Sequence, residues 1–177
     1  MTEKSLFAGF GGQGIVSMGQ IWVYCAMYEG KNVTYFPFYG AEKRGGIARA
    51  GVIVSDEEIA SPLVTTPDSV VVMNSDSLPL CEDILKKDGL MVINTSLVKE
   101  KTKRADVKIV KIEATGIAER IGNSRFANMV VLGAMAKLTG AFSLDHVEEI
   151  LRNFFSEDKH QFIPLNVQAI KSGAEAV

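Results

Sequence analysis

Two runs in this chain carry residue types that can hold an anion. The first is Gly9-Phe10-Gly11-Gly12-Gln13-Gly14, a Gly-x-Gly-x-x-Gly pattern. Leu6-Phe7-Ala8 precede it as the end of an apolar strand, and a helical pattern follows it. Glycines at such a turn let the backbone double back tightly and approach a ligand. The helix that begins there offers unpaired N–H groups and the positive end of its dipole. The second run is Tyr39-Gly40-Ala41-Glu42-Lys43-Arg44-Gly45-Gly46. Arg44 offers a rigid fork for phosphate or carboxylate, Glu42 can orient it, and Gly45 and Gly46 admit a close backbone. Each run has a plainer reading. A glycine turn also serves packing or subunit docking, and a Glu-Lys-Arg run is usually a solvated loop. The aromatic residues Tyr35, Phe36, Phe38 and Tyr39 weigh against a plain loop, as does its departure from the carboxyl end of a strand, the edge at which open α/β sheets bind ligands.

Other chemistry is scarce. A dinucleotide site needs an acidic residue at the end of the second strand, but Val33-Thr34-Tyr35-Phe36-Pro37-Phe38 has none before Glu42, so NAD binding is disfavoured. Ser17, Ser61 and Ser96 have no nearby histidine, and no Gly-x-Ser-x-Gly occurs. No catalytic residue and no metal ligand set is expected. Cys25 and Cys81 read as core thiols and form no Cys-x-x-Cys. His146 and His160 read as solvated or capping residues in amphipathic segments. Asn128 is a polar residue in an apolar helical run, a helix cap or a ligand contact, with capping preferred.

The elements that must carry these runs follow from periodicity. Residues 4–9 read as a buried strand, 14–29 as a helix closed by Gly30, and 32–37 as a strand closed by Pro37. Strand–helix–strand at this spacing predicts parallel pairing of the two strands through a right-handed crossover. Ala50-Gly51-Val52-Ile53-Val54 follows closely enough to predict a hairpin. Strands are expected at 69–73, 90–94 and 107–112, the last near an edge, and a helix at 76–87 ended by Gly89. Helices are expected at 114–121 and 126–139, broken by Gly122-Asn123-Ser124. Gly133, Ala134 and Ala136 leave the second of these thin on one side, suited to close packing. Ser143 is expected to cap a further helix, and the tail from Ser172 to fray.

At 177 residues the chain is long enough for one domain, 1–177, and shows no repeat, linker or boundary. With 19 basic and 21 acidic residues, net charge is −2, which predicts no pull toward nucleic acid or membranes. No apolar run reaches membrane-spanning length, and Met1-Thr2-Glu3-Lys4-Ser5 lacks a secretory layout, so a cytoplasmic protein is expected.

Taken together, the two glycine runs resemble those of the γ subunit of 2-oxoacid:ferredoxin oxidoreductases, whose pattern is Gly-x-Gly-Gly-Gln-Gly and then Tyr-Gly-x-Glu-x-Arg-Gly-Gly. Ile59-Ala60-Ser61-Pro62 is similar to that family's Ile-x-Ser-Pro segment, and Asn128-Met129-Val130 with Leu132-Gly133-Ala134 to its helical Asn-Met-Val-x-Leu-Gly-Ala run. The likeness extends over residues 5–155. It implies a three-layer α/β/α sandwich around a mostly parallel, mixed sheet with a Rossmann-like start. It also implies a multi-subunit enzyme that decarboxylates pyruvate, 2-oxoglutarate or another 2-oxoacid, joins the acyl group to coenzyme A and reduces ferredoxin. Thiamine diphosphate, Mg²⁺ and the Fe-S clusters are then expected on partner α, β and δ (ferredoxin-like) subunits. Gly9, Gly11, Gly12, Gln13, Gly14, Glu42, Arg44, Gly45 and Gly46 are expected to place coenzyme A or shape the shared cleft. Two other classes stay open: a standalone nucleotide-binding or scaffolding protein, and a freestanding NAD-dependent oxidoreductase.

Overall fold

The computed structural model describes residues 1–39 and 46–177. Strand β1 (Thr2–Phe10) carries the apolar run into the glycine turn, and helix α1 (Ile15–Tyr28) leaves it. Gly30, at φ 75°, closes α1: its N–H donates to the Met27 carbonyl and that of Lys31 to the Ala26 carbonyl, a paired reversal that needs a left-handed residue. Strands β2 (Asn32–Tyr39) and β3 (Ile47–Ser55) form the expected antiparallel hairpin. Strands β4 (Ser69–Val72), β5 (Leu90–Asn94) and β6 (Lys108–Ile112) complete one six-stranded sheet, with β6 at an edge as its alternation predicts.

The sheet order is β2-β3-β1-β4-β5-β6. Here the predicted pairing of the first two strands is corrected. β1 and β2 run the same way, but β3 lies between them, antiparallel to both, and pairs Leu6 with Gly51 and Gly51 with Phe36. A hairpin closes over few residues, so β3 takes the edge that a crossover alone would have given to β2. β1, β4, β5 and β6 pair in parallel, which makes the sheet mixed and mostly parallel. Strand β2 also runs through Pro37 instead of ending there, because an edge strand tolerates a residue without an N–H.

One face of the sheet carries most of the core. Phe7 and Val71 point there, under α1, α3 (Ala114–Ile121), α4 (Ala127–Thr139), α5 (Val147–Phe154) and α6 (Ile163–Glu175). Trp22 packs edge-on to both Phe7 and Phe142, with ring centroids 5.5 and 4.7 Å away. Helices α4 and α6 meet almost backbone to backbone. A side chain at Gly133 would overlap the Ile170 carbonyl, and one at Gly173 the Val130 carbonyl. The opposite face is thinner: Leu6, Val70, Val72 and Ile93 lie under α2 (Leu78–Ile84) and Val98. Helices on both faces make the three layers.

Three boundaries differ from the sequence reading. Helix α2 ends at Ile84, and Gly89 instead sits where a Cβ would be 2.6 Å from Leu85 Cδ1 and 3.0 Å from the Asp68 carbonyl. Helix α5 starts at Val147, because the Ser143 hydroxyl accepts the N–H of Asp145 in a local turn and caps nothing further on. The tail does not fray at Ser172, since α6 continues to Glu175 with Gly173 locked against α4.

Candidate functional site

The glycine turn is held by its own glutamine. Gln13 Oε1 accepts the N–H of Phe10 at 2.6 Å, and Gln13 Nε2 donates to the Met73 carbonyl at 3.3 Å. Both ends of this amide therefore serve the fold, tying the end of β1 to the end of β4. Gly9 lies beneath, where a Cβ would come within 2.6–2.8 Å of Gln13, Ile15 and Met73. Gly11 and Gly12 are different. Both are exposed, a Cβ on either would meet open space, and Gly12 has φ 95°. Gly14 (φ 73°) occupies the cap position of α1, which has no side-chain cap of its own. This turn presents bare backbone and a helix N-terminus outward.

The second glycine run meets the first at its end. The Gly46 carbonyl accepts the N–H of Gly11 at 3.4 Å, directly after the register pair Phe10 and Ile47. Glu42, Arg44 and Gly45 lie outside the described residues. Tyr39, the last residue of β2, is exposed.

Beside the turn is a cavity of about 280 Å³, lined among others by Gly12, Gln13, Met73, Thr115, Ser124 and Arg125. Topology creates it. From β1 the chain turns into α1 on one face, and from the adjacent β4 it turns into α2 on the other, so the two connections part above the sheet. Thr115 is fixed at the start of α3, where its hydroxyl accepts Nδ2 of Asn94 at 3.0 Å. Arg125 sits in the short 3-10 turn Ser124–Phe126, whose first residue is preceded by Asn123; the Asn123 side chain accepts the Arg125 N–H at 2.9 Å. Among the described residues no carboxylate pairs with the Arg125 guanidinium. At the end of β4, Asn74 Nδ2 is buried and has no hydrogen-bond partner among the described residues, while its Oδ1 accepts from Ser77. The cavity thus joins the backbone of the glycine turn at Gly12, the Arg125 guanidinium and the hydroxyls of Thr115 and Ser124, a set suited to phosphate.

Arg125, Thr115 and Ser124 escape sequence reasoning. Ser124 stands out only as part of a helix break, and nothing in its spacing ties that break to a turn more than a hundred residues earlier. Asn128 is also placed differently from the capping expectation. Phe126 holds the cap position of α4, and Asn128 Nδ2 donates to the Gly14 carbonyl at 3.3 Å.

The remaining candidates are structural. Cys25 and Cys81 are buried on opposite faces of the sheet, and burial pushes both thiols up to about 12, so they cannot share a cluster or act as thiolates near neutral pH. His160 Nε2 lies 3.0 Å from the carbonyls of Arg152 and Phe155, closing the end of α5. His146 stacks beside Tyr28. Among the described residues no cluster of His, Cys, Asp and Glu is arranged to hold a metal, and no helix is long and apolar enough to cross a membrane.

The profile of the pyruvate ferredoxin/flavodoxin oxidoreductase family matches residues 4–176. The chain belongs to that family. The 2-oxoglutarate synthase subunit KorC of Methanothermobacter marburgensis is 33% identical, and the match covers all of this chain and 97% of KorC. The ketoisovalerate oxidoreductase subunit VorA of the same organism is 35% identical over 95% of this chain. This chain spans only about a third of VorA, 35% of its length. Among solved structures, the pyruvate oxidoreductase subunit PORC of Thermotoga maritima is similar at a TM-score of 0.83 and 31% identity, covering 99% of this chain and 96% of that one. The 2-oxoglutarate:ferredoxin oxidoreductase of Magnetococcus marinus shares the fold at a TM-score of 0.89 and 24% identity, with 99% of this chain matching 31% of that one. Members of this oxidoreductase family therefore occur with this fold both as a short subunit and as about a third of a longer chain.

Proposed function

We propose that this chain is the γ subunit of a 2-oxoacid:ferredoxin oxidoreductase and that its switch-point cavity receives phosphate groups of coenzyme A. The complete enzyme would split a 2-oxoacid to carbon dioxide and an acyl group, transfer the acyl group to the coenzyme A thiol and pass two electrons to ferredoxin. Thiamine diphosphate, Mg²⁺ and the Fe-S clusters would reside on α, β and δ subunits, in the cytoplasm. The separation of Cys25 from Cys81 supports placing the clusters elsewhere. This chain, folded as one unit, would contribute binding and positioning and no reacting group.

The observation that carries the reading is the cavity itself, where the turn at Gly12 and Gln13 meets Arg125, whose guanidinium pairs with no carboxylate among the described residues. Backbone N–H groups at a helix start and an arginine fork are the two protein devices that most favour phosphate. The end of the second glycine run joins this turn through Gly46, which supports a common role for Glu42, Arg44 and Gly45. Half-exposed Phe36 and Phe38, on the thinly covered face, give partner subunits apolar surface to cover.

The test is co-purification of the tagged chain from its own host, followed by assay of 2-oxoacid- and coenzyme A-dependent viologen reduction. Activity in a sample holding thiamine diphosphate and iron supports the reading. An inactive, colourless single chain refutes it. Within an active complex, Arg44→Ala and Arg125→Ala are each expected to raise the apparent KM for coenzyme A, and no change in both would refute the phosphate role.

A further inference from the structure

Positive charge gathers at one edge of the sheet. Residues 99–111 hold six basic and two acidic residues, in a chain whose net charge is −2. They make up most of the strap that follows β5 and then strand β6, the last strand in the sheet order. Arg104 is already occupied. It pairs with Asp106 and donates to the carbonyls of Glu82 and Leu85, which fastens the strap to the end of α2. Lys99, Lys101, Lys103, Lys108 and Lys111 are exposed and pair with no carboxylate among the described residues.

Between the strap and β6 lies a cavity of about 440 Å³. Ile93, Val98 and Ile109 give it apolar walls, and Lys99, Lys101 and Lys111 line it as cations. Glu100 also lines it, and its carboxylate accepts the Lys99 N–H at 3.2 Å. The strap is held at both ends. Lys99 Nζ donates to the Thr95 carbonyl at 2.9 Å, and the Lys103 N–H to Glu82 Oε1 at 2.5 Å.

The backbone of β6 is open on its outer side. The Lys108 N–H donates to the Gly89 carbonyl and the Ile112 carbonyl accepts from Thr95, so Lys108, Val110 and Ile112 turn their peptide groups toward β5. Ile109 and Lys111 alternate with them and turn theirs outward, where no strand follows in the sheet. Such an edge is a template for one more strand. Lysines on an edge also guard it, because they repel a second copy of the same edge. That plainer role accounts for Lys108 and Lys111 and leaves Lys99, Lys101 and the hollow beside them unexplained. A strand bearing carboxylates uses all of these features. Nucleic acid does not, since residues 95–112 contain no aromatic side chain on which a base could stack.

We propose that the β6 edge takes an extended acidic segment of a partner protein as a seventh strand. The outward peptide groups of Ile109 and Lys111 supply its hydrogen bonds. Glutamate side chains on the cavity side lay their methylenes over Ile93, Val98 and Ile109 and bring their carboxylates to Lys99, Lys101 and Lys111.

The experiment titrates the full chain into a labelled eight-residue peptide of alternating glutamate and valine and follows fluorescence anisotropy. Binding is expected, weaker as salt rises, with none by a peptide of alternating lysine and valine. Two further peptides carry N-methyl groups, one on every glutamate amide and one on every valine amide. Only alternate amides of an added strand face β6, so one of these should lose binding and the other keep it. Lys99→Glu combined with Lys111→Glu is expected to weaken binding by about tenfold or more. The methylated pair tests the edge on the unaltered chain, whether or not the double variant folds. Absence of binding by the acidic peptide overturns the proposal. Equal behaviour of the two methylated peptides also overturns it, since charge alone would then hold the peptide. So does tighter binding of a single-stranded DNA oligomer or of phosphatidylserine vesicles, which would make the patch a nucleic-acid or membrane surface.

Discussion

Asn128 Nδ2 reaches across the fold to donate to the carbonyl oxygen of Gly14, at 3.3 Å. The same side chain uses its Oδ1 to accept the N–H of Met129. Asn128 thus fixes the start of α4, and with it the neighbouring Arg125, against the glycine turn. Asn128→Ala removes both bonds at a site only 6% exposed. The expected cost is about 1–3 kcal/mol of stability, read from denaturant midpoints. A variant as stable as the wild type would show that this bridge does not hold the two elements together.

Gly14 tests the same contact from the other side. Its φ of 73° disfavours any side chain, and a Cβ would also overlap Asn128 Nδ2. Gly14→Ala is therefore expected to be destabilising on two counts, with backbone strain of roughly 1–2 kcal/mol as one of them. Adding Asn128→Ala removes the overlap but leaves the strain. The double variant should lose less than the sum of the two single losses, and strict additivity would contradict the contact.

The interlock of α4 and α6 predicts a reversal of the usual helix preference. In an open helix, glycine to alanine gains about 1 kcal/mol. At Gly133 the new methyl would meet the Ile170 backbone, and at Gly173 the Val130 backbone, neither of which can rotate away. Gly133→Ala and Gly173→Ala are each expected to destabilise by about 1–3 kcal/mol. Thermal melting of the two variants decides this, and a rise in Tm would mean that the helices sit further apart.

Glu3 makes stability depend on pH in an uncommon direction. Burial raises its carboxyl above the ordinary value of 4.5, against the hydrogen bonds from Ser69 and Ser5 that favour the charged form. The folded state then holds the proton more tightly than the unfolded chain. Its contribution favours folding most below pH 4.5 and is lost as pH rises through the higher folded value. Glu3→Gln abolishes this dependence and keeps an acceptor for Ser69. The stability of the variant relative to wild type should grow as pH rises through that window, and a flat difference would count against a buried acid.

Both cysteines should resist alkylation in the native state. With thiols pushed up to about 12 and no exposure, Cys25 and Cys81 lack the thiolate that iodoacetamide requires at pH 8. Mass spectrometry should find neither labelled until denaturant is added. Labelling of Cys25 or Cys81 in native protein would show that its helix opens locally.

Much of the fold is legible where one signal dominates. Strand β5 stands at the predicted residues 90–94, because a short apolar run between turn residues has few other uses. The break between α3 and α4 follows from Gly122, whose φ of 135° excludes most side chains. The place of β3 is less legible, since its nearly continuous apolar run suits either neighbour and only tertiary register puts Ala50 between Phe7 and Pro37. Ser143 misleads because its hydroxyl satisfies a nearby amide whether or not a helix follows. In the site, the glycine run announces itself by composition. Arg125 does not, because its importance comes from α4 crossing to Gly14, a relation no local pattern encodes.

The central place of β1 has a consequence for how the chain is made. Leu6 pairs with Gly51 on one side and with Val70 on the other. Strand β1 therefore leaves the ribosome before both neighbours, and the second arrives only once Val70 has been synthesised. At ~5–20 residues per second that is a delay of several seconds. Through it, Leu6, Phe7 and Ala8 stay unpaired on a nascent chain, a segment fit for a trigger-type holding chaperone. Slower translation between Leu6 and Val70 would lengthen that exposure, and the yield of soluble protein would fall with it.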